Sequence, residues 1–259
     1  MHEDPAASGQ TLEPAGFTGT AGPGIEQRNW PRSPDTGLPM RHAITLALPA
    51  EYQRQGPEFP GVSFFAGQGQ FAEPDEAVAS ALRGEVTDPD DPFLTDLAAT
   101  APHPRFRLLT DLIEGKWGLL WLTADELAGR TDPPVDVRRP GEHDQDDQGT
   151  SAWDDAGEPE PTAPVWLVPR PDPNAGIAPD APEYRDPMDL EDDPDWAAWV
   201  AEQNGNSHLG GTTFCVQATP EGLTPFYLEL EQSVADLNFG GDGNAQIDLE
   251  SDTFDWACG

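Results

Sequence analysis

Apolar and polar positions alternate with a period of two in several short stretches of this chain, and with a helical period in fewer ones. Residues 41–48 (RHAITLAL, closed by Pro49), 62–66 and 116–122 read as strands, the last of them buried. Tyr227, Glu229 and Glu231 alternate with Leu228 and Leu230, and Ala245, Ile247 and Leu249 with Gln246, Asp248 and Glu250. Each is the pattern of a half-buried strand with one face in the core. Residues 239–244 (FGGDGN) lie between them and supply the glycines of a tight reversal, so an antiparallel pair or meander is expected. The pair Gly210-Gly211 opens another predicted strand, which carries Cys215. Phe254 and Trp256 put two large rings near the last residue, so this end is expected to pack down.

Helical signals are short. Residues 73–83 read as a helix with Pro74 in the first turn and Gly84 as its stop, and Asp91-Pro92 opens another through Ala99. Thr123 and Glu126 form a capping box for a short helix to Gly129. Asp193-Pro194 starts a helix ended by Asn204-Gly205, with Trp196, Trp199 and Val200 on one face that is expected to be core. The apolar residues of 106–113 fit a helical face better than a strand, and 165–168 reads as an edge strand between prolines. The predicted fold is α+β: mainly antiparallel sheet (meander or hairpins), several short flanking helices, and an acidic, partly irregular insertion. The predicted organisation is a flexible lead-in over 1–28, an N-terminal half over 29–130, an acidic and proline-rich insertion or linker over 131–182, and a C-terminal half over 183–259.

Charge changes this picture most. The 259 residues include 48 acidic and 13 basic ones, a net charge of −35, and no Lys or Arg follows Arg185. Residues 141–160 hold eight acids and hardly an apolar side chain besides Trp153, the composition of a linker or exposed loop. Such a field repels nucleic-acid phosphates and anionic membranes, so neither is expected as a ligand, and it attracts basic proteins, polyamines and divalent cations. Adaptation to high salt, a GC-rich genome, a solvated insertion and mimicry of nucleic acid toward a basic protein all produce such a surface. The N-terminus shows no basic-then-apolar leader, and the apolar run 117–122 is too short to span a bilayer, so a cytoplasmic protein is expected.

Candidate chemistry is sparse. His2, His42, His103, His143 and His208 stand in no HxxxH or HExxH spacing, and Cys215 and Cys258 form no CxxC, so a zinc site is not expected. There is no Walker loop and no GxSxG elbow. Gly67 to Ala72 matches a G-x-G-x-x-A fingerprint after a strand, with Glu85 near the ribose position, yet no βαβ succession surrounds it and a plain glycine loop is the expectation. Around the 239–244 turn, Asp236, Asn238, Asp242, Asn244, Asp248 and Glu250 offer oxygens to Ca²⁺. An EF-hand register from Asp236 ends on Ile247, and one from Asp242 puts Ile247 where glycine belongs. Asp242, Asn244 and Asp248 therefore remain the calcium candidates against ordinary turn chemistry. Cys215, seven residues from His208, reads as a small buried residue and not as a nucleophile. No catalytic or cofactor-binding residue is assigned.

The segments Leu209-Gly-Gly-Thr-Thr-Phe-Cys-Val-Gln217, Phe239-Gly-Gly-Asp-Gly243 and Phe254-Asp-Trp-Ala-Cys258 resemble the C-terminal half of the YwqG-like family, a bacterial domain family of unknown function. Trp30-Pro31, Gly37-Leu-Pro39, Leu46-Ala-Leu-Pro49 and Val62-Ser-Phe-Phe65 are similar to its N-terminal part. The positions that carry the resemblance are Gly210, Gly211, Gln217, Phe239, Gly240, Asp242, Gly243 and Trp256, and residues 29–130 and 183–259 would be the family's two halves. Thr213 and Glu229 depart from it, standing where proline and glutamine are usual. The resemblance implies a mostly β fold and no established reaction. By analogy with families found near toxin or secretion systems, it implies an immunity or antitoxin-like role. The expected function is a non-enzymatic, protein-binding module with a basic partner. The alternatives are a divalent-cation-binding protein or enzyme built on the turn around Asp242, and an acidic surface that serves salt adaptation alone.

Overall fold

The computed structural model describes residues 13–67, 74–141, 143, 151–155, 159–190, 193–235 and 237–259. The chain divides into two compact units, Met1–Leu48 with Pro57–Trp166, and Pro49–Gly56 with Leu167–Gly259. The fold is α+β and mainly antiparallel, as expected, with short helices.

In the first unit, β1 (Gly16–Thr18), β3 (Arg41–Ala47), β4 (Gly61–Ala66), β5 (Phe106–Thr110), β6 (Lys116–Leu122) and β8 (Ala163–Val165) form a six-stranded sheet in the order β5-β6-β4-β3-β1-β8. Every neighbouring pair is antiparallel. The strands β2 (Gly22–Pro23) and β7 (Arg130–Thr131) pair separately. The apolar runs of β4 and β6 are buried on both faces, which is why they read as nearly continuous hydrophobic stretches. One core cluster joins Trp30, Met40, Phe65 and Leu120. A second joins Leu38 and Trp153 to α1 (Glu76–Leu82) and α2 (Pro92–Ala98) through Val78, Phe93 and Leu97.

The helices begin where short polar side chains satisfy orphan amides. Asp75 accepts from the Ala77 amide, and Asp91 from those of Phe93 and Leu94, with Pro92 in the first turn. Thr123 and Glu126 complete the predicted capping box of α3 (Ala124–Ala128).

Three local readings change in this unit. Residues 106–110 are strand and not helix: pairing with β6 overrides their helical apolar spacing. The Asp111 carboxylate then folds the turn by accepting from the Ile113 and Gly115 amides and from the Trp117 indole. Within the stretch read as a lead-in, β1 lies between β3 and β8 in the sheet. Within the acidic stretch, Trp153 on the short α4 (Ala152–Asp155) is buried, and its indole donates to the Pro134 carbonyl at 2.6 Å. The glycine fingerprint of residues 67–72 and Asp236 lie wholly or largely outside the described residues.

In the second unit, β9 (His208–Leu209), β10 (Tyr227–Glu231), β11 (Asn244–Asp248) and β12 (Phe254–Ala257) form an antiparallel sheet in the order β12-β11-β10-β9, and α5 (Pro194–Gln203) is the longest helix described. Both faces of β10 and β11 are buried, where the alternation predicted only one. The Gly210-Gly211 pair ends a strand instead of opening one. Both glycines adopt positive φ (51° and 84°), which breaks the extended conformation, and Cys215 lies in irregular chain. Among the described residues, no helix is long and apolar enough to cross a membrane.

Candidate functional site

The buried polar face of the four-stranded sheet centres on Glu229, paired in register with Gln246 and with His208. The Glu229 carboxylate is wholly buried and accepts from the Thr213 hydroxyl at 2.7 Å, the Phe214 amide at 3.1 Å and the Gln246 side chain at 3.1 Å. Asn244 donates to the Phe214 carbonyl and to Glu231, and accepts from Gln246. Burial raises the Glu231 carboxyl, and the charge of Glu229 adds to that. The irregular segment after the glycine pair thus covers this face, and its backbone is what the polar side chains bind. The His208 Nδ1–H donates to the Asn206 carbonyl at 2.9 Å, and its buried Nε2 has no hydrogen-bond partner among the described residues.

A second set of side chains pins the glycine loop from outside the sheet. Asp172 accepts from the Thr212 amide and hydroxyl, both at 2.9 Å, and from Arg170 at 2.9 Å. A side chain at Gly211 would run into this carboxylate, so the packing accounts for that glycine. Asn174, fully buried, exchanges hydrogen bonds with the Arg185 backbone in both directions at 2.8 Å. The Tyr184 hydroxyl accepts from the Thr213 amide, and burial pushes its pKa up.

The other motif residues are placed by the same logic. Gln217 donates to the Cys258 carbonyl at 2.9 Å. Phe239 is buried and stacks on Trp256 with ring centroids 5.9 Å apart. Gly240 has φ of 78°, and a Cβ on Gly243 would meet the carbonyls of Phe239 and Ala257.

Of the calcium candidates, Asp242 sits on the exposed turn while Asn244 and Asp248 are buried. Asp248 accepts from the amides of Thr224, Glu250 and Ser251, at 2.7, 2.8 and 2.6 Å, and so folds the chain at the end of β11. Among the described residues no three His, Cys, Asp or Glu side chains are grouped as a metal site. Burial, reinforced by the charge of Glu229, pushes the Cys215 thiol up to about 11, although its contact with Thr213 opposes this. The thiol is therefore protonated at neutral pH and not activated. Nearly every polar group of this interior is spent on backbone or on another buried side chain, which is the arrangement of a structural core.

An open groove of about 470 Å³ lies beside α5, walled by Asp172, Arg185, Asp193, Asp195, Trp196 and Trp199 together with two prolines; Trp196 itself is buried, as its expected place in the core required. The Trp196 and Trp199 indoles, three residues apart on one helical face, stack with centroids 5.0 Å apart and planes 9° from parallel. Asp193 uses Oδ1 to cap the helix and turns Oδ2 to Arg185. That bond to Arg185 is the main cause holding the Asp193 carboxyl below its usual range. The cationic carbon of Arg185 lies 4.2 Å from the Trp196 ring centroid, and that of Arg170 lies 5.6 Å from the Trp199 centroid. Planar cations on stacked indoles beside carboxylates are what this groove accommodates.

Pattern reading did not find Asp172, Asn174, Arg170 or Arg185 because they lie in proline-rich coil without periodicity. The one local signal was Asp172-Pro173-Asn174, where the Asp172 side chain accepts from the Asn174 amide at 2.9 Å. No protein-family model matches the chain, and neither a curated protein nor a solved structure does.

Proposed function

We propose that this protein is a non-enzymatic binding module that engages a cationic protein partner, with the α5 groove as the contact point. The observation that carries this reading is the groove itself, in which three aspartates surround a stacked tryptophan pair. Two further features support it. The net charge of −35 draws basic partners over long range. The buried Glu229 network and the protonated Cys215 are committed to the fold and offer no activated nucleophile. The similarity of residues 209–217 and 239–243 to the YwqG-like family belongs to the same proposal, and so does a cytoplasmic setting.

The test is a calorimetric titration with poly-L-arginine and with a small basic protein, repeated from about 0.02 M to about 0.5 M NaCl, a range in which the Debye length shrinks several-fold. Binding at low salt that weakens steeply with added salt supports the reading. Absence of binding at low salt would overturn it.

A further inference from the structure

Arg185 occupies the groove as a ligand would. Its guanidinium carbon lies over the Trp196 ring, 4.2 Å from the centroid, and at the same time Nη2 donates to Asp193 Oδ2 at 2.8 Å. A planar guanidinium can stack with its face and donate with its edge in one pose, whereas a lysine ammonium satisfies only one of these demands well. The two resident arginines differ in how firmly they are held. The Arg170–Asp172 pair is mostly buried, with side chains 19% and 5% exposed, while the Arg185–Asp193 pair is 40% and 44% exposed. Exposed pairs of this kind add little to stability, so breaking the Arg185–Asp193 bond costs little; the larger cost of displacing Arg185 is uncovering the buried Trp196 ring, which an incoming guanidinium covers again. Its backbone stays in place, because Asn174 binds the Arg185 amide and carbonyl. Asp195, exposed in the first turn of α5, offers a second carboxylate on the rim.

We infer that the groove is a guanidinium-binding site and that Arg185 is its resident, displaceable occupant, so that an arginine of the partner enters by exchanging with it. This rests on the reading of the protein as a binder of cationic partners and names the group that it recognises. Arg185 then acts as a competitive gate. It shields the indole face until a partner arginine, held nearby by the partner's other charge contacts, takes its place.

The experiment uses the full chain and a capped pentapeptide with one central arginine, beside the same peptide with lysine and with citrulline, a neutral analogue of arginine's shape. Binding is measured by calorimetry at low ionic strength for the wild type, Arg185→Ala and Asp193→Asn. Asparagine caps helices as well as aspartate, so the second variant keeps α5 while losing the charge. The expected result is an arginine peptide that binds about tenfold tighter than its lysine twin and a citrulline peptide that does not bind. Arg185→Ala should tighten the arginine peptide roughly two- to fivefold, the worth of an exposed pair. Asp193→Asn should weaken it about tenfold. Equal binding of arginine and lysine peptides, or an Arg185→Ala variant no tighter than wild type, overturns the inference and leaves the broader reading standing if poly-L-arginine still binds. Failure of poly-L-arginine and all peptides to bind overturns both.

Discussion

Burial pushes the His42 ring down to about 4 from its ordinary 6.5. The Gly19 carbonyl can only accept, so Nδ1 carries the proton and Nε2 accepts from the Thr45 hydroxyl, each at 2.8 Å, while Thr45 in turn bonds to Ser63. This chain of hydroxyls ties β3 to β4 beside the bulge between His42 and Ile44. Because the folded pKa lies below the unfolded one, the unfolded chain takes up the proton first. Stability is therefore complete above about pH 6.5 and falls as the pH drops toward 4, by roughly 3 kcal/mol in all. Urea midpoints measured through this window should decline in the wild type and stay flatter in His42→Gln. Equal slopes would show that His42 is not buried neutral. Glu126 adds to acid lability at lower pH. Burial pushes its carboxyl up, but bonds from Thr123, Arg105 and His103 outweigh this and hold it down to about 2, a contribution lost as pH falls from the usual carboxylate range toward 2.

Among the elements, β10 and β11 show how far a period-two pattern reaches. It places Leu228, Leu230, Ala245 and Ile247 on one face and Tyr227, Glu229, Gln246 and Asp248 on the other, as the register confirms. It does not say that the polar face will be covered. That cover is possible because the polar side chains of β10 and β11 there find partners, since an unpaired one would cost a few kcal/mol. Asp248 is the clearest case, with three backbone amides converging on its carboxylate. Asp248→Ala should lower the stability of the second unit by about 3 kcal/mol, read from denaturant unfolding. A loss under about 1 kcal/mol would mean that the turn rearranges to satisfy those amides by itself.

Across the whole molecule, a net charge of −35 on 259 residues sets strong self-repulsion against packing. Few cations are present to relieve it, and several are already committed, such as Arg105 to Glu126 and Arg54 to Glu250. The melting temperature should rise by several degrees as NaCl goes from about 0.01 M to about 1 M, a range over which the Debye length falls from 30 to 3 Å. A melting temperature independent of salt would show that the acids are spaced widely enough not to interact in the folded state.

Local chemistry was legible in the sequence wherever a segment decides its own conformation. Asp91-Pro92 and Asp193-Pro194 start helices, Thr123 and Glu126 cap one, and the central apolar runs became strands, all through interactions within a few residues. Positive φ at Gly240 likewise belongs to the turn read from residues 239–244, whereas the Gly210-Gly211 pair, read as opening a strand, takes positive φ and ends one. What only the tertiary structure decided is the pairing of distant groups. Residues 106–110 became strand because β6 was there to pair with, and Trp153 entered the core because Leu38 and Phe93 left space for it. Asp172 reaches the glycine loop forty positions away, and Arg185 meets Trp196 and Asp193 only once the coil has folded back on α5. Periodicity and capping are short-range in sequence, whereas hydrogen-bond satisfaction of buried groups is a condition on the whole fold.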